Sequence, residues 1–496
     1  MRASGVLMHI SSLPSDYGIG TLGKEAYSFV DFLQKAGQTY WQVLPLCPTG
    51  YGDSPYQSFS AFAGNPYFID LTLLTEQGLL RQEDYNKTFW GNSITEIDYS
   101  ALYQNRFNVL RIAFTEFCKA LPQDFYRFCE KNAFWLEDYA LFMALKDSFG
   151  GRAWQMWSEP LRRREPAAIE QAKQQFSNEI LFYKTLQFWF YEQWFALKEY
   201  ANAHGIGIIG DIPIYVAMDS ADLWANPKQF VIDENGVCPE IAGCPPDAFS
   251  EDGQVWGNPL YDWEYMKADG YSFWCNRLRH SSKIYDITRI DHFRGFDSYF
   301  CIPFGHTTAK GGVWRQGPGI ELFHTLENEL GKLNIIAEDL GFLTDSVRKL
   351  LKSSGFPGMK VLQFAFDSRE DSDYLPHNYN SHCVVYTGTH DNDTILGWMQ
   401  NSAKEDVAFA RRYMRIEDDN TANWAMMVCA MSSVADTAIL QMQDLLDLDS
   451  LARMNTPSTL GQNWLWRMEK NMADDALANK LYSLTKLYGR LQKPFV

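Results

Sequence analysis

The chain of 496 residues lacks any excess of positive charge: 44 Lys and Arg stand against 61 Asp and Glu, a formal net charge of −17. A protein that holds nucleic acid or an anionic membrane needs a basic face to displace counterions from phosphates, so neither partner is expected. Long hydrophobic runs are missing too, with nothing near the roughly 18 uninterrupted apolar residues of a membrane span. The opening segment, MRASGVLMHISSLPS, has an apolar run too short for a secretory leader. Nine cysteines form no close-spaced framework, and an odd number points to reduced thiols in a reducing compartment. Cys238 and Cys244 are the one pair close enough to check, and without His or further Cys beside them they do not read as a metal site. No fixed-period repeat, low-complexity tract or long charge block occurs. Hydrophobic residues at 46% and charged residues at 21% complete the expectation of a cytoplasmic protein folded throughout.

Aromatic rings, by contrast, are plentiful, at 15% of residues. Most rings belong to a core. Many here fall in Gly- and Pro-rich segments, where a ring face can pack on the C–H patch of a pyranose, so a neutral sugar is the best-fitting ligand class.

Short apolar, β-prone runs recur along the chain, each followed by a polar turn and a longer segment with helical spacing, the order of a parallel sheet with crossover helices. Eight candidates stand out: Gly5–Ile10, Tyr40–Leu44, Ile206–Asp211, Asp286–Ile290, Leu333–Ala337, Met359–Phe364, Cys383–Tyr386 and Ala438–Met442. Eight parallel strands close into a barrel, whereas an open sheet of eight would leave two edges to protect. The expected fold is an α/β (β/α)8 TIM barrel, one catalytic domain over residues 1–496 with large insertions at about 45–205 and 213–285. Helical spacing over Phe182–Tyr200 lies in the first insertion. In the second, the Pro/Gly-rich run Pro239–Pro259 reads as an irregular surface loop suited to a lid.

Acidic residues sit at the C-terminal ends of four candidates: Asp211 after IGIIG, Asp291 after DITRI, Glu338 after LNIIA, and Asp391 soon after CVVYTGTH. In a closed parallel barrel these ends converge on one mouth. A single loop Asp is most often a helix cap or turn residue. Four convergent carboxylates repel one another and raise some pKa values, which acid–base chemistry explains and packing does not. Alternation along the strand puts Arg289 and Asp291 on one face, so Arg289 is expected to hold Asp291 ionised as a nucleophile. Glu338 follows the apolar approach Ile335–Ala337, which raises a carboxyl pKa and suits a proton donor. One lowered and one raised carboxyl is the pattern that cleavage of a glycosidic bond requires. His390 beside Asp391 lacks the H-x-x-x-H spacing of a metal pair. The chain also has neither a G-x-S-x-G elbow nor a G-x-x-x-x-G-K-[ST] loop, which counts against serine-hydrolase and nucleotide chemistry.

Long strings now carry a resemblance: GYGDSPYQSFSAFAGNPYFIDL from Gly50, GDIPIYVAMDSADLWANP from Gly210, PPDAFSEDGQVWGNPLYDW from Pro245, RIDHFRGF from Arg289, AEDLG from Ala337 and GTHDNDT from Gly388. Over essentially its whole length the chain resembles the 4-α-glucanotransferases (amylomaltases, disproportionating enzymes), glycoside hydrolase family 77 of the α-amylase clan. The resemblance implies a retaining mechanism with Asp291 as nucleophile, Glu338 as general acid/base and Asp391 as the third carboxylate, bracing the distorted sugar through its hydroxyls. It implies that Arg289 and His390 border the subsite of the reacting glucose, with Asp211 and Tyr56 nearby. Trp256 would be an acceptor-side platform, and Ser54 and Asn463 would hydrogen-bond neighbouring glucose units. The implied partners are α-1,4-glucan donors and glucose or maltodextrin acceptors, and no metal or organic cofactor is implied. Neither the N-terminal extension of longer members nor the C-terminal β-domain of α-amylases is expected. The alternatives are an α-1,4-glucan hydrolase using the same carboxylates, or a non-catalytic glucan-binding protein.

Overall fold

The computed structural model describes residues 2–233, 235–246, 251–341, 343–418 and 421–491. Its strands, in chain order, are β1 (Ala3–Leu7), β2 (Tyr40–Gln42), β3 (Gly207–Pro213), β4 (Glu240–Cys244), β5 (Gln254–Pro259), β6 (Ile287–Asp291), β7 (Ser298–Pro303), β8 (Val313–Gln316), β9 (Ile335–Ala337), β10 (Gly358–Val361), β11 (Cys383–Tyr386) and β12 (Thr437–Gln441). Eight of them form one sheet in the order β10-β11-β12-β1-β2-β3-β6-β9, every pairing parallel. The two ends of that sheet meet. The Ala337 N–H donates to the Pro357 carbonyl at 3.0 Å, and the Met359 N–H to the Asp339 carboxylate at 2.6 Å. The result is a nearly closed eight-stranded barrel.

All eight sequence-predicted strands are barrel strands, with ends that differ from the predicted ones by no more than three residues. The sixth stops at Val361 because Leu362–Phe364 winds into a 3-10 turn. Parallel barrel strands are covered on both faces, which is why they read as continuous apolar runs and not as alternating ones. Val6, Trp41, Ile208, Ile209, Ile290, Val361, Val385 and Ile439 are all fully buried. Close packing also fixes one glycine: a Cβ at Gly210 would lie 2.1 Å from the Tyr285 ring, so only glycine lets that ring cover β3 beside Asp211.

The segment between β2 and β3 contains three long helices, Tyr99–Phe117, Gln123–Ser148 and Ser177–Ala203, the last spanning the helical spacing of Phe182–Tyr200. The main buried core cluster runs from Val6 on β1 through Trp189 and Trp194 of that third helix to Leu484 near the end of the chain, and a small second one, which includes Ile241 on β4 and Phe300 and Ile302 on β7, belongs to the four-stranded sheet. No helix among the described residues is long and apolar enough to cross a membrane.

One expectation is corrected. The run Pro239–Pro259 is not an irregular loop in its described part: β4 and β5 occupy it and join β7 and β8 in an antiparallel sheet ordered β5-β4-β7-β8. The β4–β5 pairing shifts register between Ile241 and Gly243, a bulge that bends the ribbon, and Gly243 is required there because a Cβ would lie 2.3 Å from the Gln254 carbonyl oxygen. Residues 247–250 of this run lie outside the described residues.

Candidate active site

Parallel strands present all their C-terminal ends at one rim, and the four carboxylates arrive there from β3, β6, β9 and the turn after β11. Asp211 on β3 and Arg289 on β6 are direct register partners, which places their side chains on the same interior face. Arg289 donates through Nη1 to Asp211 Oδ2 at 2.6 Å and through Nη2 to Asp291 Oδ1 at 3.0 Å. The side chains of Arg289 and Asp211 are 3% and 0% exposed while Asp291 keeps 29%, so only the last of the three opens toward the mouth. Tyr56 adds a second donor to Asp211, its hydroxyl lying 2.8 Å from Oδ2.

Glu338 follows β9, which pairs with β6, so it stands beside Asp291 at adjacent strand ends. Two backbone N–H groups hold its carboxyl: His292 donates to Oε2 at 2.6 Å and Leu340 to Oε1 at 3.0 Å. His292 can reach it because its backbone is left-handed, φ 53° and ψ 48°, a conformation that turns the chain sharply after Asp291 and is uncommon for a non-glycine residue.

Asp391 is held from a distant loop. Asn455 donates through Nδ2 to Asp391 Oδ1 at 2.6 Å, and Arg453 Nη2 donates to the Asp391 carbonyl at 2.5 Å. His390 Nε2 lies 3.4 Å from the same Oδ1, and the His390 ring stacks on Tyr56 with centroids 4.9 Å apart and planes 18° from parallel. Tyr56 thus joins the Asp211 side of the mouth to the Asp391 side.

The carboxyls carry unequal loads. Burial, reinforced by the Asp291 charge, pushes Glu338 up to about 8 against the opposing pull of Arg289 and the two N–H donors. Asp291 is also raised, to about 6, again chiefly by burial. This corrects the expectation of a depressed Asp291: Arg289 does lower it, but that guanidinium is shared with Asp211, whose own charge pushes Asp291 up. The order survives, with Glu338 the weaker acid and Asp291 the one that ionises first. Burial drives the His292 imidazole down to about 3, so it is neutral.

The family model for 4-alpha-glucanotransferase matches residues 8–473. The chain is 51% identical to the 4-alpha-glucanotransferase of Streptococcus pneumoniae serotype 4 over 100% of its own length and 99% of that protein's. It is 49% identical to the Thermus thermophilus 4-alpha-glucanotransferase over 94% of this chain and 95% of that one. Among solved structures, amylomaltase from Streptococcus agalactiae in complex with acarbose has a TM-score of 0.97 at 44% identity, covering 99% of this chain and 100% of that one. The chain belongs to the 4-alpha-glucanotransferase family.

The other residues expected to matter in a 4-alpha-glucanotransferase take distinct places around this mouth. Trp256 sits on β5 with its ring edge-on to His292 at 4.7 Å. Gln57 donates to the Trp256 carbonyl at 3.3 Å and to Asn258 Oδ1 at 3.2 Å, and so ties that strand to the loop carrying Tyr56. The Ser54 hydroxyl accepts from the Tyr56 N–H at 3.2 Å and shapes the turn that aims Tyr56. Asn463 spends its carboxamide on its own loop, accepting from the Thr456 N–H at 3.0 Å and donating to the Thr459 carbonyl at 2.9 Å, with no bond to the four carboxylates. Sequence reasoning missed Asn455, Arg453 and His292. Of these only His292 carried a signal, its position directly after Asp291 inside RIDHFRGF.

Proposed function

We propose that the protein transfers a segment of an α-1,4-glucan to the 4-hydroxyl of glucose or another α-1,4-glucan by double displacement, with Asp291, Glu338 and Asp391 as the catalytic set. The observation that carries this reading is the side-by-side pair Asp291 and Glu338, one carboxyl salt-bridged to Arg289 and the other the weaker acid. Asp291 attacks the anomeric carbon while Glu338 protonates the departing glycosidic oxygen, leaving a glycosyl ester on Asp291. Glu338, now ionised, takes the proton from an acceptor 4-hydroxyl, which displaces the ester and restores the α configuration by a second inversion. Asp391, steadied by Asn455, accepts hydrogen bonds from hydroxyls of the distorted sugar. Arg289 and His390 border that sugar, with Tyr56 and Asp211 nearby, the fully buried Asp211 acting through its ion pair with Arg289. Ser54 and Asn463 serve the neighbouring glucose units.

Transfer must outrun water at roughly 55 M, so the acceptor needs proximity and a partly dry site. Trp256 is the platform that supplies both. The whole reading is tested by chromatography of the products from maltotriose: glucose plus a ladder of longer maltodextrins supports transfer, whereas glucose and maltose alone mean hydrolysis. In the same assay Trp256→Ala is expected to raise the hydrolysed fraction several-fold, and an unchanged transfer-to-hydrolysis ratio removes Trp256 from this role.

The unequal carboxyls also set a pH window. Below about 6 the nucleophile is protonated, and above about 8 the proton donor is ionised. The kcat/KM for maltotriose is therefore expected to form a bell with limbs near those values, each limb belonging to the coupled pair and not to one residue. A profile flat between pH 5 and 9 contradicts the assignment. Residues 1–496 act in this reading as one catalytic unit, with 45–205 and 213–285 as insertions that wall the mouth, a view supported by the main core cluster, which takes in residues of the barrel and of both insertions. Buried free thiols at Cys238, Cys275, Cys301 and Cys383 support a cytoplasmic setting.

A further inference from the structure

Strand β8 is the outer edge of the four-stranded sheet, and all four of its residues are exposed. Short exposed edges are usually blunted by charge. This one instead presents Trp314, which is 43% exposed. Its ring is firmly oriented all the same. The Arg294 guanidinium lies over it at 4.2 Å from the ring centroid, and Phe300, its cross-strand register partner, packs edge-on at 5.1 Å.

These contacts connect Trp314 to the reacting centre. Arg294 is buried in the turn Phe293–Phe296 that follows Asp291. The end of β8 is fastened to the same turn, since Gln316 donates through Nε2 to the Asp297 carbonyl at 2.6 Å and the Gly317 N–H donates to it at 2.7 Å. An oriented indole, held by the turn that follows Asp291, therefore faces solvent.

The surroundings select a neutral ligand. Arg315, the only charged residue of β8, is engaged by Glu240 at 2.8 Å, and nearby Lys310 by Asp252 at 2.6 Å. What is left for a ligand is an indole surface, which suits the C–H face of a pyranose and gives an anion nothing to bind. A four-residue edge on a bulged sheet is also a poor template for strand addition by a second chain.

We propose that Trp314 is an outer glucan subsite that stacks on a glucose unit of a long α-1,4-glucan several units away from the bond being cut. The inference rests on the transferase reading above and adds to it a preference for chain length. The test is a comparison of wild type, Trp314→Ala and Trp314→Phe on maltotriose and on amylose. Loss of one stacking contact predicts a KM for amylose of roughly 20 or more units raised about five- to tenfold in Trp314→Ala, with maltotriose kinetics within about twofold of wild type. Trp314→Phe should recover most of the amylose affinity. Unchanged maltotriose turnover serves as the control for folding. Equal effects on both substrates, or none on either, overturn the proposal. So does a wild-type dimer that Trp314→Ala converts to a monomer on size exclusion with no chain-length effect, since that outcome makes β8 a protein interface. Failure of the transferase reading is seen separately, as a wild type that makes no ladder from maltotriose, and it takes this inference with it.

Discussion

Asp291→Asn is expected to lower kcat for maltotriose disproportionation by at least ~10⁴-fold while the protein stays folded. An amide cannot form the glycosyl ester, and no other carboxylate stands in for it, because Asp211 is fully buried behind Arg289 and Asp391 is tied to Asn455. The variant should fold because its amide oxygen still accepts from Arg289 Nη2 and the guanidinium keeps Asp211 as a partner at 2.6 Å. Stability should even gain. Asp291 is raised from 3.8 to about 6 in the fold. The stability linked to its proton is therefore present below about pH 4 and lost as pH rises through 6, so at pH 7.5 its carboxylate weakens the native state. Thermal unfolding followed by circular dichroism at pH 7.5 should give a Tm equal to wild type or a few °C above it. Near-normal turnover would remove Asp291 from the role of nucleophile.

That mixture of lost chemistry and kept fold marks what could be read from the sequence. The eight strands were legible because barrel strands are buried on both faces and leave unbroken apolar runs such as IGIIG and CVVY. The shared face of Arg289 and Asp291 followed from strand alternation, and their 3.0 Å contact bears it out. The register of β3 against β6 was not legible, and that register sets Asp211 opposite Arg289, gives Asp211 the shorter bond and leaves Asp291 less protected than local reasoning expects. Asn455 was invisible for a similar reason: it reaches Asp391 across 64 residues of sequence, and nothing in the local string MNTP announces it. Pro239–Pro259 misled because Gly and Pro in an antiparallel ribbon with a bulge have the composition of a loop.

Glu338→Gln is expected to lower maltotriose turnover by ~10²–10⁴-fold through loss of the proton donor, yet to spare the first chemical step for a donor that needs no proton. With α-maltosyl fluoride the leaving group departs as fluoride, so Asp291 can still be glycosylated. The acceptor hydroxyl then finds no base, and the ester should accumulate: a burst of fluoride stoichiometric with enzyme, and intact protein heavier by one maltosyl residue. A variant that releases fluoride no faster than it cleaves maltotriose would deny Glu338 the role of acid. The same substitution makes a second measurement possible. Gln offers one acceptor oxygen where Glu338 takes N–H bonds on both, from His292 and Leu340, so one contact is lost at a cost of about 1 kcal/mol at every pH. Against this, Glu338 is raised from 4.5 to about 8, so wild-type stability linked to its proton is present below about pH 4.5 and declines as pH climbs through 8. The Tm of the variant relative to wild type should therefore rise steadily from pH 5 to pH 9, and a difference independent of pH would mean that the carboxyl is not held protonated by its burial beside Asp291.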